Sequence, residues 1–126
     1  MKKLQVAIFI SGRGSNLESL IQSSNKKQSL VEVQLVVSNN SKAKGLIIAK
    51  KNRIPFIHFI PSKNFENKVI KYLTNIDIIC LAGFMQVLGS KFVRQWRSRL
   101  INIHPSYLPA FKGLNAQDQA IKANVS

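Results

Sequence analysis

The chain contains a single cysteine, Cys80, so no disulfide can form within it. That thiol lies inside the apolar run IDIICLAGF and reads as a small buried hydrophobe rather than a nucleophile. With only two histidines and this one cysteine, no Cys/His cluster suggests a metal site, and none is expected. No apolar run approaches the roughly 20 residues that span a bilayer. The opening MKKLQVAIFISGRGSN leads straight into a glycine turn without a small-residue cleavage site, so it reads as a first buried strand rather than a leader. These absences point to a cytoplasmic protein without membrane contacts.

Acidic residues are also scarce: 5 Asp+Glu stand against 19 Lys+Arg, a net charge of +14. Such an imbalance first suggests nucleic acid. However, Lys26, Lys27, Lys42, Lys44, Lys50, Lys51, Lys63, Lys68 and Lys71 are scattered rather than gathered with interleaved aromatics. A solvated basic coat that attracts small anions is the better reading, and no nucleic-acid partner is expected. The 126 residues argue for a single domain, 1–126. A hydrophobic fraction of 45% suffices for an ordinary core.

Strand-like and helix-like patterns alternate along the sequence. LQVAIFI is continuously apolar, as in a strand buried on both faces. SNLESLIQSS then places Leu17, Leu20 and Ile21 at helical spacing. VEVQLVVS, FIHFI, DIICLAGF and RLINI supply four more strands, separated by helices through KAKGLIIAKKN, NFENKVIKYLT and SKFVRQWRS. NAQDQAIKAN begins another helix. The series predicts an α/β fold, a doubly wound, mostly parallel sheet with helices on both faces. Ligands in such sheets bind beyond the carboxyl ends of the strands.

Three loops fall at that edge. SGRGSN places Gly12 and Gly14, which can adopt positive φ, at the start of a helix whose free N–H groups suit a phosphate. The stretch lacks the third glycine of a dinucleotide fingerprint and the lysine of a Walker loop, so one phosphate fits better than NAD or ATP. A tight turn capped by Ser15 or Asn16 is the competing reading. AGFMQVLG follows the fourth strand. The third loop, HPSYLPAFKG, is stiffened by Pro105 and Pro109 and follows Asn102 and His104, which the strand period directs to one face. An amide donor beside a group that titrates near neutrality could hold a carbonyl oxygen and manage a proton.

ISGRGSNL, LAGFMQVL and NIHPSYLPAFKGLNA, in this order and spacing, resemble the phosphoribosylglycinamide formyltransferase family, and the likeness runs through all 126 residues. The third motif alone indicates the wider formyltransferase group, including methionyl-tRNA formyltransferase and formyltetrahydrofolate deformylase. GRGSN indicates the glycinamide ribonucleotide branch. The resemblance implies a Rossmann-like formyltransferase fold. It implies transfer of a formyl group from the cosubstrate 10-formyltetrahydrofolate to glycinamide ribonucleotide in purine (IMP) biosynthesis. Gly14, Ser15 and Asn16 match the phosphate-binding loop. Met85, Gln86, Val87 and Leu88 match the segment lining the folate pocket, and Lys63 falls near a basic residue of that site. Asn102 and His104 match the catalytic pair: the first binds the formyl oxygen and contacts the folate, the second acts as general acid. Gln86 stands where many relatives carry arginine, and Tyr107 and Asn115 replace the commoner leucine and histidine.

The resemblance further implies a catalytic aspartate C-terminal to the aligned part. The acids present are Glu18, Glu32, Glu66, Asp77 and Asp118, and none matches it. The chain is therefore expected to be a C-terminally shortened member that lacks the family's later strands. An uncovered sheet edge would then favour self-association. A second function remains open at this point: a catalytically inactive domain that keeps the phosphate loop and binds the ribonucleotide.

Overall fold

The computed structural model describes residues 2–103. Within them, β1 (Leu4–Ile10), β2 (Val31–Ser38), β3 (Phe56–His58), β4 (Ile78–Leu81) and β5 (Leu100–Asn102) alternate with α1 (Ser15–Ser24), α2 (Lys44–Lys51), α3 (Phe65–Ile70) and α4 (Ser90–Gln95). The strands form one sheet in the order β3-β2-β1-β4-β5, and every pairing is parallel.

The uninterrupted apolar run of β1 is explained by its central place. It pairs with β2 on one side and β4 on the other, and Val6 to Ile10 are wholly buried. Its side chains alternate between two cores. Val6, Ile8 and Ile10 pack with Leu17, Leu20 and Ile21 of α1 and Leu46 and Ala49 of α2. Ala7 and Phe9 pack with Phe65 and Val69 of α3 and with Phe92 and Trp96 near α4. The sheet is thus doubly wound, with two of the described helices on each face.

β2 breaks strict alternation. Val6 pairs with Val33 but Ala7 pairs with Leu35, so Gln34 is an extra residue and the register shifts by one. The bulge lets Val33 face one core and Leu35 the other although they are two apart in sequence.

Several elements are shorter than their sequence patterns predict. FIHFI yields only Phe56–His58, an edge strand among the described residues that ends before Ile60-Pro61. NFENKVIKYLT yields Phe65–Ile70. Beyond it the backbone tightens, with Tyr72 N–H donating to Val69 O (2.8 Å) and Leu73 N–H to Ile70 O (3.1 Å). DIICLAGF ends as a strand at Leu81 because Gly83 turns the chain at φ 71°. NAQDQAIKAN lies outside the described residues.

Candidate active site

The strand order reverses between β1 and β4, and ligands of such sheets bind at the carboxyl edge beside that switch point. The loops that border it are Ser11–Gly14 after β1 and Ala82–Gly89 after β4. The first is shaped by backbone geometry. Gly14 is the N-cap of α1 and is left-handed, φ 80° and ψ 17°, with no side-chain cap. The competing reading, a turn capped by the Ser15 or Asn16 side chain, does not hold: both belong to the first turn of the helix, and the glycine ahead of them starts it. Gly12 does not share the positive φ, so only Gly14 needs glycine's conformational freedom.

A second helix braces this loop. A Cβ on Gly14 would lie 2.6 Å from the Gly45 Cα, and the Gly45 N–H donates to Gly12 O (3.1 Å). The starts of α1 and α2 therefore touch through two glycines, and bare first-turn N–H groups of α1 remain at the sheet edge. Such an end suits an anion.

In the second loop Phe84 serves as an anchor. Its ring lies 5.4 Å from Phe9 and 5.7 Å from Phe65. Farther on, the Gly89 N–H donates to Glu66 Oε1 of α3. Between these ties, Met85 and Val87 project outward, 83% and 94% exposed, while Leu88 packs on the core below. Gln86 is half-buried and accepts from Asn39 Nδ2 (3.2 Å). Two large apolar side chains exposed at the carboxyl edge form a surface suited to a flat ring.

Asn102 ends β5 opposite Leu81 of β4, and its side chain is exposed. The following Ile103 N–H donates to Leu81 O (2.9 Å). Asn102 thus stands at the carboxyl edge beside the strand that leads into the Met85–Leu88 segment. Lys63 lies in the loop after β3 on the same edge, exposed and two residues before Phe65. Among the described residues no hydrogen bond joins it to Met85–Leu88. His104, Tyr107, Asn115 and Asp118 lie outside the described residues.

Two other chemically capable groups, Cys80 and Asp77, have other occupations. Cys80 is fully buried, and burial pushes its thiol up to about 12, so it is no nucleophile at neutral pH. Asp77 is held at the opposite end of the sheet, accepting from the Gln5 N–H through Oδ2 (2.7 Å) while its own N–H donates to Gln5 O (2.7 Å).

Sequence reasoning assigned no role to Ser11, Asn39 and Asn40. Ser11 Oγ donates to Asn39 Oδ1 (2.7 Å) and accepts from the Met85 N–H (2.8 Å), and Asn40 Nδ2 donates to Ser11 O (3.2 Å). The signal was the polar run Ser38-Asn39-Asn40 directly after a strand buried at its end, at the edge where ligands bind.

A doubly wound parallel sheet with a glycine-started helix and an asparagine-tipped strand at its carboxyl edge agrees with the family match. Residues 4–126 match the formyl transferase family, and the chain belongs to it. Its relatives narrow the branch. It is 41% identical to the human trifunctional purine biosynthetic protein adenosine-3, over 99% of this chain and 13% of that protein. It is 38% identical to the phosphoribosylglycinamide formyltransferase of Haemophilus influenzae, over 98% of this chain and 60% of that one. The crystal structure of phosphoribosylglycinamide formyltransferase from Anaplasma phagocytophilum superposes with a TM-score of 0.72 at 46% identity, covering 98% of this chain and 60% of that chain. The chain therefore spans only part of the length of these relatives.

Proposed function

We propose that the chain is a formyltransferase domain, residues 1–126, that acts in the cytoplasm on glycinamide ribonucleotide with 10-formyltetrahydrofolate as formyl donor. The observation that carries this reading is the Gly14-started helix α1 at the sheet's switch point, beside a segment that exposes Met85 and Val87. The backbone N–H groups of Gly14, Ser15 and Asn16 take the substrate phosphate. Met85, Gln86, Val87 and Leu88 receive the pteridine end of the folate, and Lys63 attracts its anionic part. The substrate amine attacks the formyl carbon, and negative charge grows on the former carbonyl oxygen. Asn102 and a protonated His104 donate to that oxygen and stabilise the transition state. The proton lost by the amine is returned to the departing folate nitrogen, with His104 the group able to manage it near neutral pH.

A second reading is that the domain binds the ribonucleotide without turning it over. Asp77, held at the opposite end of the sheet, does not stand beside Asn102 and cannot support a charged imidazole there.

Formyl transfer measured with this chain, with His104→Ala and Asn102→Ala as controls, separates the two. The first reading expects turnover that falls by about 10² to 10³ in each variant, the usual loss for one oxyanion donor. Ribonucleotide binding with no turnover in any of the three proteins would establish the second.

A further inference from the structure

Asn39 belongs to neither of the loops assigned above, yet its side chain joins them. It is only 7% exposed, and both ends of its amide are used: Oδ1 accepts from Ser11 Oγ (2.7 Å) and Nδ2 donates to Gln86 Oε1 (3.2 Å). Ser11 is engaged as fully, because its Oγ also accepts the Met85 N–H (2.8 Å). A hydroxyl can donate once while accepting, and a primary amide can do both at opposite ends, so Met85 N, Ser11, Asn39 and Gln86 form one directed chain of hydrogen bonds. In this orientation of the Asn39 amide, the partner at position 86 accepts. Glutamine does so, whereas an arginine there would offer donors only.

The chain of bonds also determines which way the Met85–Leu88 segment faces. Its ties hold the Met85 backbone and the Gln86 side chain down toward β1 and β2, and the intervening geometry leaves Met85 83% and Val87 94% exposed. We propose that Asn39 and Ser11 are positioning residues of the formyl-donor subsite: they lock the Met85–Leu88 segment in the orientation that offers Met85 and Val87 to the flat ring of the donor. This rests on the reading above that the segment receives the folate. Neither residue touches the reacting atoms.

Two measurements test it, one without any ligand. Amide hydrogen exchange is followed in the wild-type chain, Asn39→Ala, Ser11→Ala and Gln86→Ala. The Met85 N–H is expected to lose its protection in Ser11→Ala and Asn39→Ala, while the amides of Val6 to Ile10 in β1 stay protected and so report an intact fold. In parallel, 10-formyltetrahydrofolate is titrated into each protein and into the Asn39→Ala/Gln86→Ala double variant. Each single change is expected to weaken donor binding about tenfold, and the double variant no further, because neighbours in one network are not additive. In Asn39→Ala and Gln86→Ala, ribonucleotide affinity should move less than about twofold. Met85 protection that survives in both variants, or donor-binding losses that add in the double variant, would overturn the proposal. A wild-type chain that binds no 10-formyltetrahydrofolate would instead overturn the formyl-donor reading, and the exchange experiment would still decide whether Asn39 and Ser11 hold the segment.

Discussion

Cys80 shows how completely one residue's chemistry depends on its surroundings. Its thiol would ionise near 9.0 in an unfolded chain, but desolvation in β4 raises that to about 12. The folded state therefore keeps a proton that the unfolded state releases between these values. The stability this contributes is fully present below about pH 9 and declines as pH rises toward about 12. Denaturant midpoints of wild type and Cys80→Ala, measured at about pH 8 and about pH 10, should show the wild type losing more stability over that interval. Equal losses would mean that Cys80 is solvated. The sequence sufficed for this residue, because a lone cysteine in an apolar run has few other fates. It did not suffice for Asn39, whose importance arises from two partners 28 and 47 residues away in the chain.

At the scale of elements, the sequence announced β1, α1 and β2 with their observed bounds, because each carries a full period of its pattern. Helix α3 stopped short of its pattern, and β4 stopped where Gly83 turns the chain. At the start of α1 the sequence left a side-chain cap open as an alternative, because serine and asparagine there look like caps in any sequence. What decides the matter is the neighbouring helix: Gly14 meets Gly45 closely enough that no side chain fits. Gly14→Ala should therefore cost roughly 2–4 kcal/mol in urea unfolding, from backbone strain and overpacking together. Gly12→Ala should cost about 0.5 kcal/mol or less, since a Cβ there meets nothing within 4 Å. Similar losses in the two variants would contradict the helix-to-helix bracing.

For the whole molecule the dominant property is charge. With +14 spread over its surface, the chain attracts anions from a distance, and salt screens that attraction. On the proposed reading, affinity for glycinamide ribonucleotide should fall several-fold between about 0.05 M and about 0.5 M NaCl, as the Debye length shrinks to roughly 4 Å. A scattered coat should not hold a random duplex at about 0.15 M salt. Tight duplex binding that falls by about 10³ with salt would restore the nucleic-acid reading.

The order of apolar runs, helical spacings and glycine turns was enough to determine a doubly wound parallel sheet, and the family was legible in the resemblance of three short motifs. All of these depend on residues close together in the chain. Tertiary structure alone decided that β1 separates two cores, that Gln34 is a bulge, that Gly45 shapes the Gly14 loop, and that Ser11 and Asn39 tie down Met85 and Gln86. Each of these depends on groups far apart in sequence, whose meeting is set by strand order and register rather than by any local pattern.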